Sequence, residues 1–190
     1  AEEYGTQSRI PSIEHTWKLV LDQTFATPED EGCATLPDFG LHTEDVADLL
    51  HRSHNGGSPI PPRGRQSLIR VLCVLRHMHS AIEYAPLVPD LAAILLNYMP
   101  EGHAYATLRE MVNDHSRFLP PCKVDHYSYC RSFAQLMKKL YPETAREMED
   151  NGALTPRGLD PIFRRFFLPL LRYEHVMRIM DIYTIEGAKV

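Results

Sequence analysis

The stretch from Arg63 to Met99 constrains the fold most, because it predicts two consecutive apolar helices joined at a corner. Leucine and valine recur at helical spacing in the first helix. The second, 87–99, is apolar on nearly every side, which is typical of a buried central helix. The corner reads Glu83-Tyr84-Ala85-Pro86, and Pro89 follows in the first turn of the next helix. We therefore expect the corner side chains to lie at a fixed, exposed place and to form part of any binding edge.

The rest of the chain also has helical periodicity, and no segment alternates polar and apolar residues as a strand would. The sequence predicts an all-α fold of about eight or nine helices in an irregular layered bundle. Residues 1–11 are expected to be a flexible arm, and residues 12–190 one helical domain. Ser12 is the predicted N-cap of the first helix, and Gly152 the residue that closes a later one. The further helices are predicted over 43–50, 102–113, 125–141, 142–151, 158–171 and 173–185. In the helix over 125–141, the side chains expected to point inward are those of Tyr129, Phe133, Leu136, Met137 and Leu140.

Composition excludes several classes of function. The net charge of −5 argues against nucleic-acid binding, which needs a surplus of Lys and Arg. The four cysteines form no C-x-x-C pair and are expected to be reduced thiols of a cytoplasmic protein. Neither the cysteines nor the histidines suggest a set of four zinc ligands, so we expect no metal and no cofactor. The longest apolar run is too short to span a bilayer.

Several separated motifs resemble the TBC domain, the fold of the Rab GTPase-activating proteins. Arg178-Ile179-Met180-Asp181 and Glu186-Gly187 resemble a run in the second half of that domain, and Gly64-x-x-x-Leu68-x-Arg70-x-Leu72 resembles its first half. The resemblance covers roughly 12–190. It implies the TBC fold and an association with small GTPases. Because related domains continue through further helices, we expect this one to be truncated at its C-terminal end.

Within that family the chain looks closest to the Skywalker-type branch, whose members often also carry a TLDc domain. Three features bear this resemblance: Leu36-Pro37-Asp38-Phe39 ahead of a variable loop, Arg63-Gly64 opening the next helix, and Pro86 at the corner. The branch implies a cationic pocket for phosphoinositide headgroups.

Two residues that the family uses to accelerate GTP hydrolysis are replaced here. The family inserts an Arg from an Ile-x-x-Asp-x-x-Arg motif and a Gln from a Tyr-x-Gln motif. The corresponding positions hold Gln23, preceded by Trp17 and Val20, and Pro86, preceded by Tyr84. An amide cannot neutralise phosphoryl charge, and proline has no side-chain group to orient water. We therefore expect no dual-finger catalysis, with Gln23, Tyr84 and Pro86 as candidates for GTPase binding.

Arginines supply the candidate anion-binding residues. Arg63, Arg65 and Arg70 lie at the start of one predicted helix, where backbone N–H groups also favour anions, and Arg164 and Arg165 lie on a later one. The alternative is an ordinary solvated face.

Three functions follow from these patterns. The preferred one is a cytoplasmic domain, peripheral at membranes, that binds a small Rab- or Arf-type GTPase or an anionic phosphoinositide membrane in vesicle traffic. The second is an active GTPase-activating protein with a non-standard arginine such as Arg9 or Arg63. The third is a structural helical module within a larger protein assembly.

Overall fold

The computed structural model describes residues 12–25, 36–40, 61–82, 84–120 and 122–188. All regular structure in these residues is helical, which confirms the all-α prediction. The helices are α1 (Ile13–Thr24), α2 (Pro62–Met78), α3 (Val88–Leu96), α4 (Glu101–Asn113), α5 (His115–Phe118), α6 (Lys123–Leu140), α7 (Pro142–Asp150), α8 (Pro156–Arg164) and α9 (Tyr173–Glu186). The expected arm over 1–11 and the expected helix over 43–50 lie outside the described residues.

Helix α3 is the centre of the main core, as its sequence predicts. Every residue from Val88 to Leu95 is buried, including Asp90. Helices α2 and α4 pack against α3, and α1 packs against both α2 and α4. The α1 helix begins where predicted because the Ser12 hydroxyl accepts a hydrogen bond from the His15 N–H at 3.2 Å. Helix α9 joins this core through Val176, Met180 and Tyr183.

A second, smaller core forms where α6 packs against α7 and α8. Its buried members are Cys130, Ala145, Leu154 and Leu159. The prediction for α6 is wrong for two side chains, because Leu136 is 36% exposed and Leu140 is 60% exposed. The buried face carries His126 and Cys130, and Phe133 and Met137 pack against the second core as predicted. A histidine with a buried carboxylate partner occupies a core position there, and apolar periodicity cannot reveal that.

Helix α8 is shorter than the sequence predicts. It ends at Arg164 instead of continuing to Leu171. Phe166 and Phe167 follow with φ of 46° and 62°, left-handed values that end the helix and are uncommon for bulky residues. The turn before α8 agrees with the prediction, since Gly152 follows the end of α7 with φ of 69°.

The cysteines differ in state. Cys122 and Cys130 are free, whereas Cys73 is disulfide-bonded, so the expectation of reduced thiols throughout is wrong for Cys73. Cysteine count and spacing cannot predict such a pairing, because it depends on distances that only the fold sets. None of the helices in the described ranges is long and apolar enough to cross a membrane. Within the same ranges, no group of three or more His, Cys, Asp or Glu side chains has the arrangement of a metal site.

Candidate functional site

The predicted corner covers residues 83–86, of which Glu83 lies outside the described residues. Backbone hydrogen bonds hold the rest of the corner, together with Leu87, on both sides. The Ala85 N–H donates to the Phe39 carbonyl at 2.9 Å, and the Val88 N–H donates to the Ala85 carbonyl at 3.0 Å. Ala85 and Pro86 are buried, and Tyr84 and Leu87 are half-buried. The expectation of exposed corner side chains is therefore wrong for Ala85 and Pro86. The segment 36–40, which carries Phe39, covers one side of the corner. The sequence of the two helices alone does not predict this contact.

Tyr84 lies between a glycine and a histidine. Gly40 has φ of 81°, and a Cβ atom there would lie 2.5 Å from Tyr84 Cδ2, so only glycine allows this approach. The Gly40 N–H donates to Asp38 Oδ1 at 2.7 Å, which fixes the turn. On the other side the Tyr84 ring meets the His126 ring edge-on, with 5.5 Å between centroids. The orientation of Tyr84 is thus set by the 36–40 segment and by α6 together.

A buried polar cluster continues from His126. His126 Nε2 lies 2.8 Å from Asp160 Oδ1, and Arg164 NH1 lies 3.2 Å from Asp160 Oδ2. Burial first, and Asp160 second, raise the pKa of Tyr84 to about 12 and that of Cys130 to about 11. Both groups are therefore neutral at physiological pH. Because the thiolate is the reactive form of cysteine, this arrangement argues against Cys130 as a nucleophile.

Arg165 makes a second buried ion pair, this time with the helix that follows the corner. Its Nε lies 2.6 Å from Asp90 Oδ2, and both side chains are almost excluded from solvent. The candidate anion-binding residues Arg164 and Arg165 thus lie inside the domain against carboxylates and do not share a surface. Their adjacent positions in the sequence suggested a basic face, but a buried carboxylate partner is invisible to that reasoning.

The three arginines of α2 are arranged differently. Arg63 and Arg70 are both exposed. They stand seven residues apart, which places them on one face of the helix, about 10 Å apart along its axis. Arg70 forms an ion pair with Glu101, the first residue of α4. Arg65 is half-buried and lies on a different side of α2.

Gln23 is exposed in the last turn of α1, on a different element from the corner. Trp17 and Val20, which the motif comparison predicts at the family's Ile and Asp positions, are both buried in the main core. Val20 therefore contributes to packing and cannot hold an inserted side chain by a hydrogen bond. At the end of α1, the exposed amide of Gln23 can donate and accept hydrogen bonds but carries no charge.

Two cavities adjoin the corner. The first, of about 320 Å³, is largely apolar, and Pro86 and Leu87 form part of its wall together with Phe163, Phe166 and Phe167. Sequence reasoning missed this groove, since nothing in the run Arg164–Phe167 signals the left-handed backbone that turns both rings toward the corner. The second cavity, of about 480 Å³, lies beyond Tyr84, between the ends of α2 and α4.

Comparison with known proteins agrees with this architecture. The Rab-GTPase-TBC domain family matches residues 44–190. The GTPase-activating protein skywalker of Drosophila melanogaster is 30% identical over 180 residues, which is 92% of this chain and 28% of the relative.

The crystal structure of the TBC domain of Skywalker/TBC1D24 from Drosophila melanogaster, in complex with inositol(1,4,5)triphosphate, matches with a TM-score of 0.66 at 25% identity. The match covers 90% of this chain and 57% of that one. The family match spans most of the sequence, and the relative and the solved structure come from the branch that the motifs indicate. The chain belongs to the Rab-GTPase-TBC domain family.

Proposed function

We propose that this domain binds a small GTPase at its corner without accelerating GTP hydrolysis by two inserted side chains. Pro86 is the observation that carries the proposal. The motif comparison predicts Pro86 at the position of the family's glutamine. Pro86 is buried, and it has no side-chain donor or acceptor for a water molecule. The corner is nevertheless firmly held, through Phe39, Gly40 and His126, so it can serve as a rigid binding edge.

The arginine position supports the same conclusion. An arginine finger contributes about 10³–10⁵ in rate, which corresponds to roughly 4–7 kcal/mol of barrier. Gln23 is neutral and cannot supply this stabilisation. Val20, three residues earlier, is a core residue and offers no carboxylate to orient a guanidinium.

Single-turnover GTP hydrolysis with a panel of purified Rab and Arf GTPases tests the proposal, with binding measured in parallel. We expect at least one GTPase to bind in its GTP-bound form and its hydrolysis rate to stay close to the intrinsic value. Acceleration of about 10²-fold or more, abolished by Arg63→Ala or Arg9→Ala, would overturn the proposal in favour of an active enzyme. No binding to any GTPase, together with co-purification in a stable complex, would instead support a structural module.

A second candidate function, recognition of a phosphoinositide headgroup, is favoured by the relative solved with inositol(1,4,5)triphosphate. Arg63 and Arg70 are the surface residues suited to it, because they lie on one exposed face of α2. Guanidinium groups bind phosphate through paired N–H donors. A headgroup phosphate at Arg70 would compete with Glu101 for the same cation.

Sedimentation with vesicles that contain phosphoinositide tests this second function. The double variant Arg63→Glu/Arg70→Glu is expected to lose vesicle binding. The variant Arg146→Glu/Arg157→Glu, which reverses two exposed arginines elsewhere, makes the same change in net charge and serves as its control. Equal loss in both variants would indicate a general charge effect, and no loss in either would exclude a headgroup site on α2.

A further inference from the structure

The turn after α8 holds two bulky residues in a backbone conformation that only glycine adopts freely. Phe166 and Phe167 follow the helix with φ of 46° and 62°, both in the left-handed region. This region is unfavourable for any residue with a Cβ atom, and Phe has no short polar side chain that could compensate by a local hydrogen bond. Such a conformation persists only where the surrounding structure enforces it. The rest of the fold must therefore hold this turn against its local preference.

Aromatic packing is one of the forces on the turn. Phe166 is buried, and its ring meets the Tyr183 ring of α9 edge-on, with 5.1 Å between centroids. The Phe167 ring lies 5.6 Å from the Phe163 ring. The Phe167 N–H donates to the Ile162 carbonyl at 3.0 Å, five residues earlier instead of the four of an α-helix. Apolar burial is non-directional, so it favours buried rings without specifying the backbone that carries them.

The ion pair of Arg165 with Asp90 is a directional contact at the start of the turn. Arg165 Nε lies 2.6 Å from Asp90 Oδ2, and Arg165 NH2 lies 3.4 Å from Asp90 Oδ1. Two contacts between a planar guanidinium and a carboxylate fix orientation as well as distance. Asp90 belongs to α3, the centre of the main core, and Arg165 directly precedes Phe166. The pair thus fixes the point at which the backbone leaves α8.

The sequence favours a different backbone for the same residues. Its apolar periodicity predicts a helix over 158–171, and Phe is an ordinary residue in a right-handed helix. Pro169 would end such a continuation of α8 close to Leu168, since the residue before a proline disfavours helical backbone. Phe166 and Phe167 therefore have a local alternative to the left-handed turn.

We infer that the Asp90–Arg165 ion pair is a latch that holds the Phe166–Phe167 turn in its left-handed conformation. With the pair in place, both rings belong to the wall of the apolar groove beside Pro86. Without the pair, the turn relaxes to a right-handed continuation of α8, which points both side chains in other directions and changes this wall. The pair therefore determines the shape of the groove next to the corner, whether or not a GTPase binds there.

Glycine and alanine at position 167 measure the strain in the turn. Phe167→Gly and Phe167→Ala both remove the ring, and only the alanine keeps a Cβ atom on the left-handed backbone. We expect the glycine variant to have the higher ratio of folded to unfolded chain, by about fivefold, in urea denaturation. Phe163→Gly and Phe163→Ala are the control pair, because Phe163 is also half-buried but lies within α8. Glycine should lower the ratio there by about two- to fivefold.

The same substitutions in chains without the ion pair test the latch. Asp90→Asn removes the charge of the carboxylate with little change of shape, and Asp90→Leu/Arg165→Met replaces both partners by apolar side chains. In both backgrounds the advantage of glycine over alanine at position 167 should disappear or reverse. The difference between glycine and alanine at position 163 should stay as it is in the unmodified chain. If one background fails to fold, the other decides.

Two results would overturn the inference. If glycine keeps its advantage at position 167 without the ion pair, the turn is left-handed without its latch. If glycine is less stable than alanine at position 167 in the chain that retains the pair, the turn carries no strain. Both results leave the proposed function intact, because GTPase binding tests that function separately.

Discussion

Asp90, in the first turn of α3, and Arg165, just after α8, form a buried ion pair with 2.6 Å between Asp90 Oδ2 and Arg165 Nε. The neighbouring Arg164 pairs with Asp160 at 3.2 Å, and Asp160 contacts His126, whose ring meets Tyr84. Two adjacent arginines thus connect the second core to both sides of the corner. These buried ion pairs therefore help to fix the position of the corner relative to the second core, although they do not lie on its surface.

Arg165→Met should destabilise the domain by about 3–5 kcal/mol, because it removes the guanidinium that pairs with the buried carboxylate of Asp90. Urea denaturation followed by circular dichroism measures the loss. Arg172→Met is the matched control, since the Arg172 side chain is 74% exposed and its pair with Glu174 lies on the surface. The control should cost less than about 1 kcal/mol.

The double variant Asp90→Leu/Arg165→Met completes this test. If the loss in Arg165→Met comes from breaking the ion pair of the buried Asp90 carboxylate, removing that carboxylate as well should restore much of the stability. Stability as low as that of Arg165→Met, or lower, would show instead that the methionine is badly packed.

Sequence periodicity predicted the main core well because its elements follow simple rules. The α3 segment is apolar on all sides and proved to be buried from Val88 to Leu95. Ser12 caps the start of α1 and Gly152 follows the end of α7, and both residues are recognisable as caps in the sequence. The same reasoning failed for α8, because the left-handed backbone at Phe166 and Phe167 depends on tertiary packing and not on local preference.

Gly40→Ala should destabilise the domain more than Gly152→Ala. Both glycines have positive φ, 81° and 69°, so both substitutions carry a backbone penalty of about 1–2 kcal/mol. Only at Gly40 would the new Cβ also meet the Tyr84 ring, whereas nothing lies within 4 Å of a Cβ at Gly152. The difference between the two losses of unfolding free energy therefore isolates the contact with Tyr84.

A second measurement shows whether the contact between Gly40 and Tyr84 determines the conformation of the corner. Gly40→Ala should also weaken GTPase binding, while Gly152→Ala should not. Adding Tyr84→Ala to Gly40→Ala removes the clash but not the backbone penalty, so the double variant should lose about 1–2 kcal/mol more than Tyr84→Ala alone. Full additivity of the two losses would argue against the contact.

The stability of the domain should fall as pH drops below about 6.5, with His79 contributing to the fall. Its folded-state pKa is lowered by burial and by Arg109, so the unfolded chain binds a proton more readily than the folded one. The stabilisation is complete above 6.5 and is lost as pH falls toward and through the lowered pKa. His79→Gln should therefore reduce the difference in unfolding free energy between pH 8 and pH 5.5. An unchanged difference would rule out this contribution.

The candidate site was only partly visible in the sequence. That Gln23 and Pro86 replace the two catalytic residues of the family is a prediction from motif positions alone. The placement of Arg165 could not be predicted from the sequence, since its partner Asp90 lies 75 residues away. Asp160 is only one helical turn from Arg164, but the burial of that pair depends on tertiary packing. The second cavity, at His79, was also missed, because its lining comes from three separate segments and its one perturbed histidine resembles any other in sequence.

Glu101→Gln should strengthen binding to phosphoinositide vesicles if α2 carries the headgroup site. The substitution frees Arg70 from its ion pair, and one more available basic group near an anionic membrane contributes about 1 kcal/mol, or about fivefold in affinity. Glu143→Gln, on an exposed position of α7, makes the same change in net charge and should have a smaller effect. Vesicle sedimentation at two salt concentrations measures both variants, and the gain should shrink at high salt. An equal gain from both substitutions would mean that the whole charge of the domain, and not Arg70, governs its attraction to the membrane.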